Sequence, residues 1–284
     1  MKMVDTRLLS AMLMMFVIAQ VLGVFTGLVI LQDIAQNPYV TSLVVTTDSD
    51  DPMNAVFFTI YILLGAASML LLIRLFGKLP ILIRIMEFML ISSSSSIVIY
   101  AFLRFVAGFE ISTLGAILIA LAFSGAKMLY PRLKNAAAVM ATAGVGVIFG
   151  ISLGLVPLVL FLILLSIYDF LSVFLTRHMV EMAEFVVKKD VAFTITARAP
   201  PPVPGAPEQR LDLGTGDMIA PIMLEVSALS FNPVATVFVF VGAVVSLGLF
   251  LLLVFRKKMV LPALPPIVLG MIVSLMIGFL LGFY

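Results

Sequence analysis

The chain has 284 residues, 63% of them hydrophobic and only 11% charged, with a mean hydropathy of +1.25. That composition excludes an ordinary soluble domain and places the chain among polytopic membrane proteins. A formal net charge of +2 gives no basic excess that would call for a nucleic-acid partner, and zero Cys with one His, His178, excludes disulfides, thiolate catalysis, Cys-ligated metals and a His cluster; no metal or other cofactor is expected.

Nine apolar segments follow in chain order, at roughly 7–32, 54–77, 79–106, 111–130, 135–154, 155–175, 214–231, 233–255 and 262–284. Each approaches the ~20 residues needed to cross a bilayer as a helix. The first is too long for a signal-peptide core and lacks a clear small-residue cleavage site, so it reads as an uncleaved span. The fifth and sixth form one long run, divided at Gly154 and Pro157. With the N-terminus inside, every Lys and Arg except Arg104 falls on the inner side, and the first outer loop carries Asp33, Asp48, Asp50 and Asp51. The expectation is an all-α polytopic fold of nine transmembrane helices, N-terminus cytoplasmic and C-terminus extracellular. It forms a single membrane domain over 1–284: helices one to six over 1–175, an inner-surface segment over 176–213, and helices seven to nine over 214–284.

Several features read as structural. Gly146-xxx-Gly150-xxx-Gly154 and Gly278-xxx-Gly282 are small-residue faces for close helix packing. Ser92 to Ser96 fit hydrogen bonding within the bundle. Arg84 and Glu87, three apart, are expected to pair. Tyr130 and Tyr284 stand at interface positions in a chain without Trp. Gln20 and Glu225 are polar groups in apolar runs with no partner evident from sequence. Residues 177–186 show helical amphipathicity and suggest a surface helix. Residues 191–196 alternate and are β-branched, which gives strand potential and would allow them to pair with an extended segment. Pro200, Pro201, Pro202, Pro204 and Pro207 then favour an extended linker.

Three motifs remain. Tyr168-Asp169 interrupts span six. Gly214-Thr215-Gly216-Asp217 opens span seven, and Pro262-Ala263-Leu264-Pro265-Pro266 opens span nine. A charge at membrane depth costs at least ~2.5 kcal/mol on insertion scales, so each acid should face protein or water. The plainer reading of Asp169 is a stray acid satisfied by a nearby Ser, Tyr or Lys. At 1.5 Å per residue, Asp169 lies roughly 9 Å, Asp217 roughly 7 Å and Pro262 roughly 6 Å from the inner ends of their spans. All three therefore meet one inner third of the membrane. Two carboxylates a few ångströms apart share a proton and titrate as a unit. Asp217 lies near a helix N-terminus, whose dipole favours a negative charge. Asp169 lies inside its helix without such help, so the shared proton is expected to reside more on Asp169.

At these residues the chain resembles the GxGD intramembrane aspartyl proteases, the presenilin and signal peptide peptidase family. The order of the motifs and the nine-span context extend the likeness over most of the chain. The N-terminus-inside topology, the run Arg256-Lys257-Lys258 and the surface helix resemble the presenilin branch, and the small size and compact loops look like an archaeal homologue. The resemblance implies an aspartic endopeptidase cutting peptide bonds within transmembrane segments, with Asp169 and Asp217 as the catalytic pair. It implies that Tyr168, Gly214, Thr215, Gly216, Pro262, Ala263 and Leu264 shape the substrate groove. Thr215 stands where the family commonly has an aliphatic residue. The implied partners are single-span membrane protein substrates and the lipid bilayer, with a homo-oligomer left open, and the implied location is a cell membrane, multi-pass, prokaryotic. The alternatives are a cation or proton transporter or ion-leak channel built on Asp169, Asp217 and Glu225, and a non-catalytic scaffold for transmembrane helices.

Overall fold

A computed structural model describes residues 6–76, 80–176, 192, 194–199, 209–257 and 262–284. Within these the helices are α1 (Thr6–Gln36), a one-turn α2 (Pro38–Thr41), α3 (Met53–Phe76), α4 (Pro80–Leu103), α5 (Phe109–Leu129), α6 (Lys134–Ser152), α7 (Leu155–Leu171), α8 (Thr215–Phe231), α9 (Pro233–Lys257) and α10 (Leu264–Leu280). Among the described residues six segments are long and apolar enough to cross a membrane: Arg7–Gln36, Ile81–Leu103, Phe109–Leu129, Pro131–Ser152, Leu155–Phe174 and Pro233–Val254. Met53–Met69, part of α3, and the 17-residue α10, Leu264–Leu280, are apolar as well. In the remaining long helix, α8, Asp217 and Glu225 interrupt the apolar run. The fifth and sixth apolar segments divide where the glycine and proline place the break: α6 ends at Ser152 and Gly154 is the N-cap of α7.

The fold is mostly helical but not all-α. Strands β1 (Thr194–Ala199) and β2 (Gln209–Gly214) form an antiparallel hairpin, with Thr196 opposite Asp212 and Thr194 opposite Gly214. The alternating, β-branched character of 191–196 thus appears as β1, shifted toward the C-terminus. The segments 177–186 and 200–207, expected as surface helix and linker, lie outside the described residues.

The bundle is built around α8, which is buried at every residue from Ala220 to Ala228. Ile222 and Val226 of α8 fit against backbone, not side chains, on two neighbours. A Cβ on Gly146 or Gly150 of α6 would lie 2.6 Å from Ile222 Cγ2 or 2.7 Å from Val226 Cβ. A Cβ on Gly23 or Gly27 of α1 would lie 2.3 Å from Ile222 or 2.7 Å from Val226. The expected small-residue face of α6 is therefore real, and α1 carries a matching one. Gly278 and Gly282 behave differently. Gly282, at φ +74°, ends α10 with a left-handed turn, so Tyr284 folds back over Gly278 and its hydroxyl donates to the Leu275 carbonyl. Gly282 is thus a helix stop, while Gly278 does take part in packing: a Cβ there would also lie 2.9 Å from Phe238 Cδ2 of α9.

Polar groups find long-range partners. Glu87 pairs not with Arg84 but with Lys127 of α5, a buried ion pair, and it accepts the Ala192 N–H at 2.6 Å. Arg104 bonds Asp33 at 2.9 Å, and Tyr100 Oη donates to the same carboxylate at 2.7 Å. The one basic residue assigned outside is thus neutralised in place. Ser92, Ser93, Ser94 and Ser96 donate to carbonyls three or four residues back. Glu225 is fully buried, and neither of its carboxylate oxygens has a hydrogen-bond partner among the described residues.

Gly150→Leu drives a side chain into Val226 and the Met223 carbonyl, 2.7 and 2.8 Å from the new Cβ. Overpacking of this kind costs about 1–3 kcal/mol. We expect a lower Tm in detergent for this variant and no loss for Gly65→Ala, whose Cβ would meet nothing within 4 Å. Equal melting of the two variants would contradict the packing described here.

Candidate active site

Three helix ends converge on one cavity of about 280 Å³. The end of α7 supplies Tyr168 and Asp169, the start of α8 supplies Gly216 and Asp217, and the start of α10 supplies Leu264. Apolar side chains close the walls: Ile62 and Ala66 from α3, Val145 and Phe149 from α6, Phe161 and Leu165 from α7, Ile219, Ala220 and Met223 from α8. Asp169 is buried, with 6% of its surface exposed, and Asp217 is half-buried.

Each end has a local cause. Two residues past Asp169, α7 loosens into a π-helical turn over Ser172–Thr176. The Ser172 N–H donates back to both the Asp169 and Tyr168 carbonyls, and its hydroxyl donates to the Asp169 carbonyl at 2.9 Å. Wide turns of this kind often mark functional positions. At α8, Gly214 is the N-cap, in extended conformation, and Asp217 sits in the first turn. Its carboxylate folds back so far that a Cβ on Gly214 would lie 3.2 Å from Oδ2. Gly216 is the opposite case: a Cβ there would meet nothing within 4 Å, and the missing side chain leaves cavity open beside the acid. Pro221 lies inside the helix four residues after Asp217. It has no N–H to offer the Asp217 carbonyl, which leaves that carbonyl without its intrahelical donor.

At α10, Pro265 and Pro266 carry no N–H, so the first turn has few backbone donors. The Leu264 N–H is one of them, and it donates to the Asp169 carboxylate. Asp169 therefore does face a helix N-terminus, contributed by a different helix. The expectation that Asp169 lacks such help, and with it the reason to place the shared proton there, is corrected: each acid meets one helix N-terminus.

The cavity brings together five of the nine residues singled out by motif: Tyr168, Asp169, Gly216, Asp217 and Leu264. Gly214 adjoins it through the Asp217 carboxylate. Thr215, Pro262 and Ala263 lie next to it in sequence but do not line it. The motifs pass over Pro221, although a proline four residues after an intramembrane acid is readable from spacing. The apolar walls on α3 and α6 carry no sequence signal at all.

An aspartate pair inside a bundle of membrane-length helices, enclosed by apolar walls, defines a membrane-embedded acid site. A profile of the family described as "Signal-peptide peptidase, presenilin aspartyl protease" matches residues 12–283, so the chain belongs to that family and is a peptide-bond hydrolase. Its fold is similar to a presenilin family intramembrane aspartate protease solved in space group C222, with a TM-score of 0.69 and 24% identity over 96% of this chain and 99% of that one. A presenilin family intramembrane aspartate protease solved in space group P2 gives 0.62 and 26% identity over 93% and 97%. No curated protein matches. The protein is a multi-pass membrane protein and an intramembrane aspartate protease of presenilin type.

Gly214→Ala presses a methyl against Asp217 Oδ2, whereas Gly216→Ala projects into open cavity. A displacement of an ångström in a reacting group costs about a hundredfold, so a shift of a few tenths should lower kcat roughly tenfold for Gly214→Ala at unchanged Tm. Gly216→Ala should act mainly on KM. Steady-state cleavage of a labelled single-span substrate separates the two, and full activity of Gly214→Ala would contradict the contact.

Proposed function

We propose that Asp169 and Asp217 are the catalytic pair and share one proton across the cavity. The observation that carries this reading is that both acids line one apolar-walled cavity where the ends of α7 and α8 meet. One carboxylate, ionised, takes a proton from water as it attacks; the other, protonated, donates to the oxygen of the scissile carbonyl. Tyr168, Gly214, Thr215, Gly216, Pro262, Ala263 and Leu264 shape the groove that receives the peptide. The transporter reading needs Glu225 on the same path, and Glu225 does not line the cavity.

The substrates are single-span membrane proteins whose helix must open before a peptide bond becomes accessible. Unpaired backbone groups in lipid cost several kcal/mol each. An added strand satisfies them. The strand that receives the peptide is β2, in place of the segment 191–196 read from sequence. Thr194, Ile195 and Thr196 already face Gly214, Leu213 and Asp212 across the hairpin. The described burial agrees: β1 is buried except at Arg198, whereas Arg210 is exposed and Leu211, Asp212 and Gly214 are half-buried. β2 runs directly into α8 and Asp217, so a peptide on its edge is carried past the acids.

The nine long helices among the described residues cross the membrane with the N-terminus in the cytoplasm and the C-terminus outside, in a prokaryotic plasma membrane, and 1–284 acts as one membrane domain. The distribution of basic residues supports this. The chain contains no Cys, so a single cysteine appended after Tyr284 reports its own side: labelling by an impermeant maleimide in intact cells is expected, and protection there would overturn the topology.

Asp169→Ala and Asp217→Ala should each abolish cleavage, with the double variant no worse than either, because the pair acts as a unit. Asn at either position should also be inactive, since an amide cannot exchange the proton. Activity should fall at low pH, where both carboxyls are protonated and none can activate water. It should fall again at high pH, where both are ionised and none can donate. Substantial cleavage by a folded single Ala variant would remove the pair from the mechanism.

A further inference from the structure

The hairpin has two outer edges, and the structure treats them differently. Antiparallel pairing alternates between residues that exchange hydrogen bonds across the pair and residues whose N–H and C=O point outward. The Thr196 N–H donates to Asn135 Oδ1 at 3.0 Å, and Asn135 Nδ2 donates to the Thr196 carbonyl at 2.8 Å. Thr196 is thus an outward-facing residue. With the observed register, Thr194 and Arg198 face outward on β1, and Arg210, Asp212 and Gly214 face outward on β2. A side-chain amide has the donor and acceptor of a peptide unit. Asn135, from the first turn of α6, makes with Thr196 the pair of bonds that a neighbouring strand would make.

The face of the hairpin is tied as well. Lys134 Nζ lies 3.5 Å from Thr196 Oγ1, and Thr196 Oγ1 donates across the pair to Asp212 Oδ1 at 2.5 Å. Arg210 Nε donates to Asp212 Oδ2 at 2.7 Å. Just before the strand, Ala192 is buried and its N–H is held by Glu87. Among the described residues no backbone hydrogen bond from elsewhere in the chain reaches Arg210, Asp212 or the Gly214 N–H. An exposed strand edge is a template for any extended chain. A hairpin with two open edges would accept a peptide on either side, and only the β2 side leads to Asp217.

We propose that Asn135 is a positioning residue that occupies the outer edge of β1 in place of a strand, so that β2 is the one edge of the hairpin open to a substrate peptide. This rests on the strand-addition reading given above and adds to it a residue that decides the side of addition. The contribution is selection of one geometry against another. It needs no contact between Asn135 and the substrate, and none with the reacting atoms.

The chain has no Cys, so single cysteines can be placed freely. Arg198 and Arg210 lie opposite one another on the two strands. A disulfide requires Cα atoms within about 7 Å. A strand on one edge of the hairpin can therefore be captured from the adjacent strand and not from the far one. Arg198→Cys and Arg210→Cys are each combined with a series of single-span substrates bearing one cysteine, in an Asp217→Asn background, and oxidised. With Asn135 present, disulfides are expected from Arg210→Cys only. With Asn135→Leu, which keeps bulk but loses both hydrogen bonds, and with Asn135→Ala, which vacates the edge, disulfides are expected from Arg198→Cys as well. With Asn135→Asp, which keeps the acceptor for the Thr196 N–H, the β2-only pattern should persist. Capture by Arg198→Cys while Asn135 is intact overturns the proposal. So does an unchanged β2-only pattern in both the Leu and the Ala variants. Capture from neither strand in any variant sinks strand addition itself, and the role of Asn135 with it, while leaving the aspartate pair untouched.

Discussion

The close approach of α8 to the backbones of α1 and α6 is the constraint on which the site depends. Lipid offers no hydrophobic drive for one helix to leave it for another, so packing in a membrane rests on dispersion and on backbones that can come near. Helix α8 is 17 residues long, contains a proline and carries two acids. On its own it is the least suited of the long helices to lie in lipid. Ile222 and Val226 fit over Gly23 and Gly27 on one side and Gly146 and Gly150 on the other, which fixes α8 along its axis as well as sideways. That register sets where Asp217 stands, because the acid is one and a half turns before Ile222 on the same rigid rod.

The site itself is made from helix ends, where backbone groups lack intrahelical partners. Irregular backbone at membrane depth is tolerated only where protein buries it or it lines a cavity, and here it does both. The end of α7 widens into a π turn held by Ser172. In α8, Pro221 leaves the Asp217 carbonyl without its intrahelical donor. At the start of α10 the N–H groups of the first turn have no intrahelical acceptor, and the Leu264 N–H goes to Asp169. The start of α10 therefore belongs to the surroundings of Asp169 as much as to the shape of the groove.

The helix positions and the motifs could be read from sequence because their signals are local. Apolar runs of membrane length, Gly154 between two of them, and carboxylates inside them all declare themselves within a few residues. What sequence hid was pairing across the fold. Glu87 had Arg84 at helical spacing, yet its partner is Lys127 on the next helix, since a buried carboxylate takes whichever cation is desolvated with it. Gly278 and Gly282 have the spacing of a packing face, yet Gly282 takes a left-handed turn that brings Tyr284 back onto Gly278. Gly23 and Gly27 have the same spacing and both pack, and nothing local separates the two cases. Asp169 seemed to lack a helix N-terminus only because the one it faces lies nearly a hundred residues away in the chain. The strand over 191–196 was visible from its β-branched alternation, but its partner lies beyond the proline-rich segment, where no periodic signal points.

The hairpin and the cavity are joined by covalent continuity, since β2 becomes α8 at Gly214 without an intervening loop. Under the proposed strand addition, a peptide along β2 would be recognised through its main chain, which every sequence shares. Side chains enter only at the walls, which are apolar and supplied by α3, α6, α7 and α8. Selectivity in such an enzyme has two sources with different physics. One is the fit of apolar side chains to those walls, where a methylene more or less is worth only about 1–3 kcal/mol. The other is the cost of unwinding the substrate helix so that its main chain can pair with β2, where each exposed backbone group costs several kcal/mol in lipid. The second is larger per residue. On the proposed strand addition, substrate preference is therefore expected to follow where a membrane helix opens easily more than which side chains flank the bond.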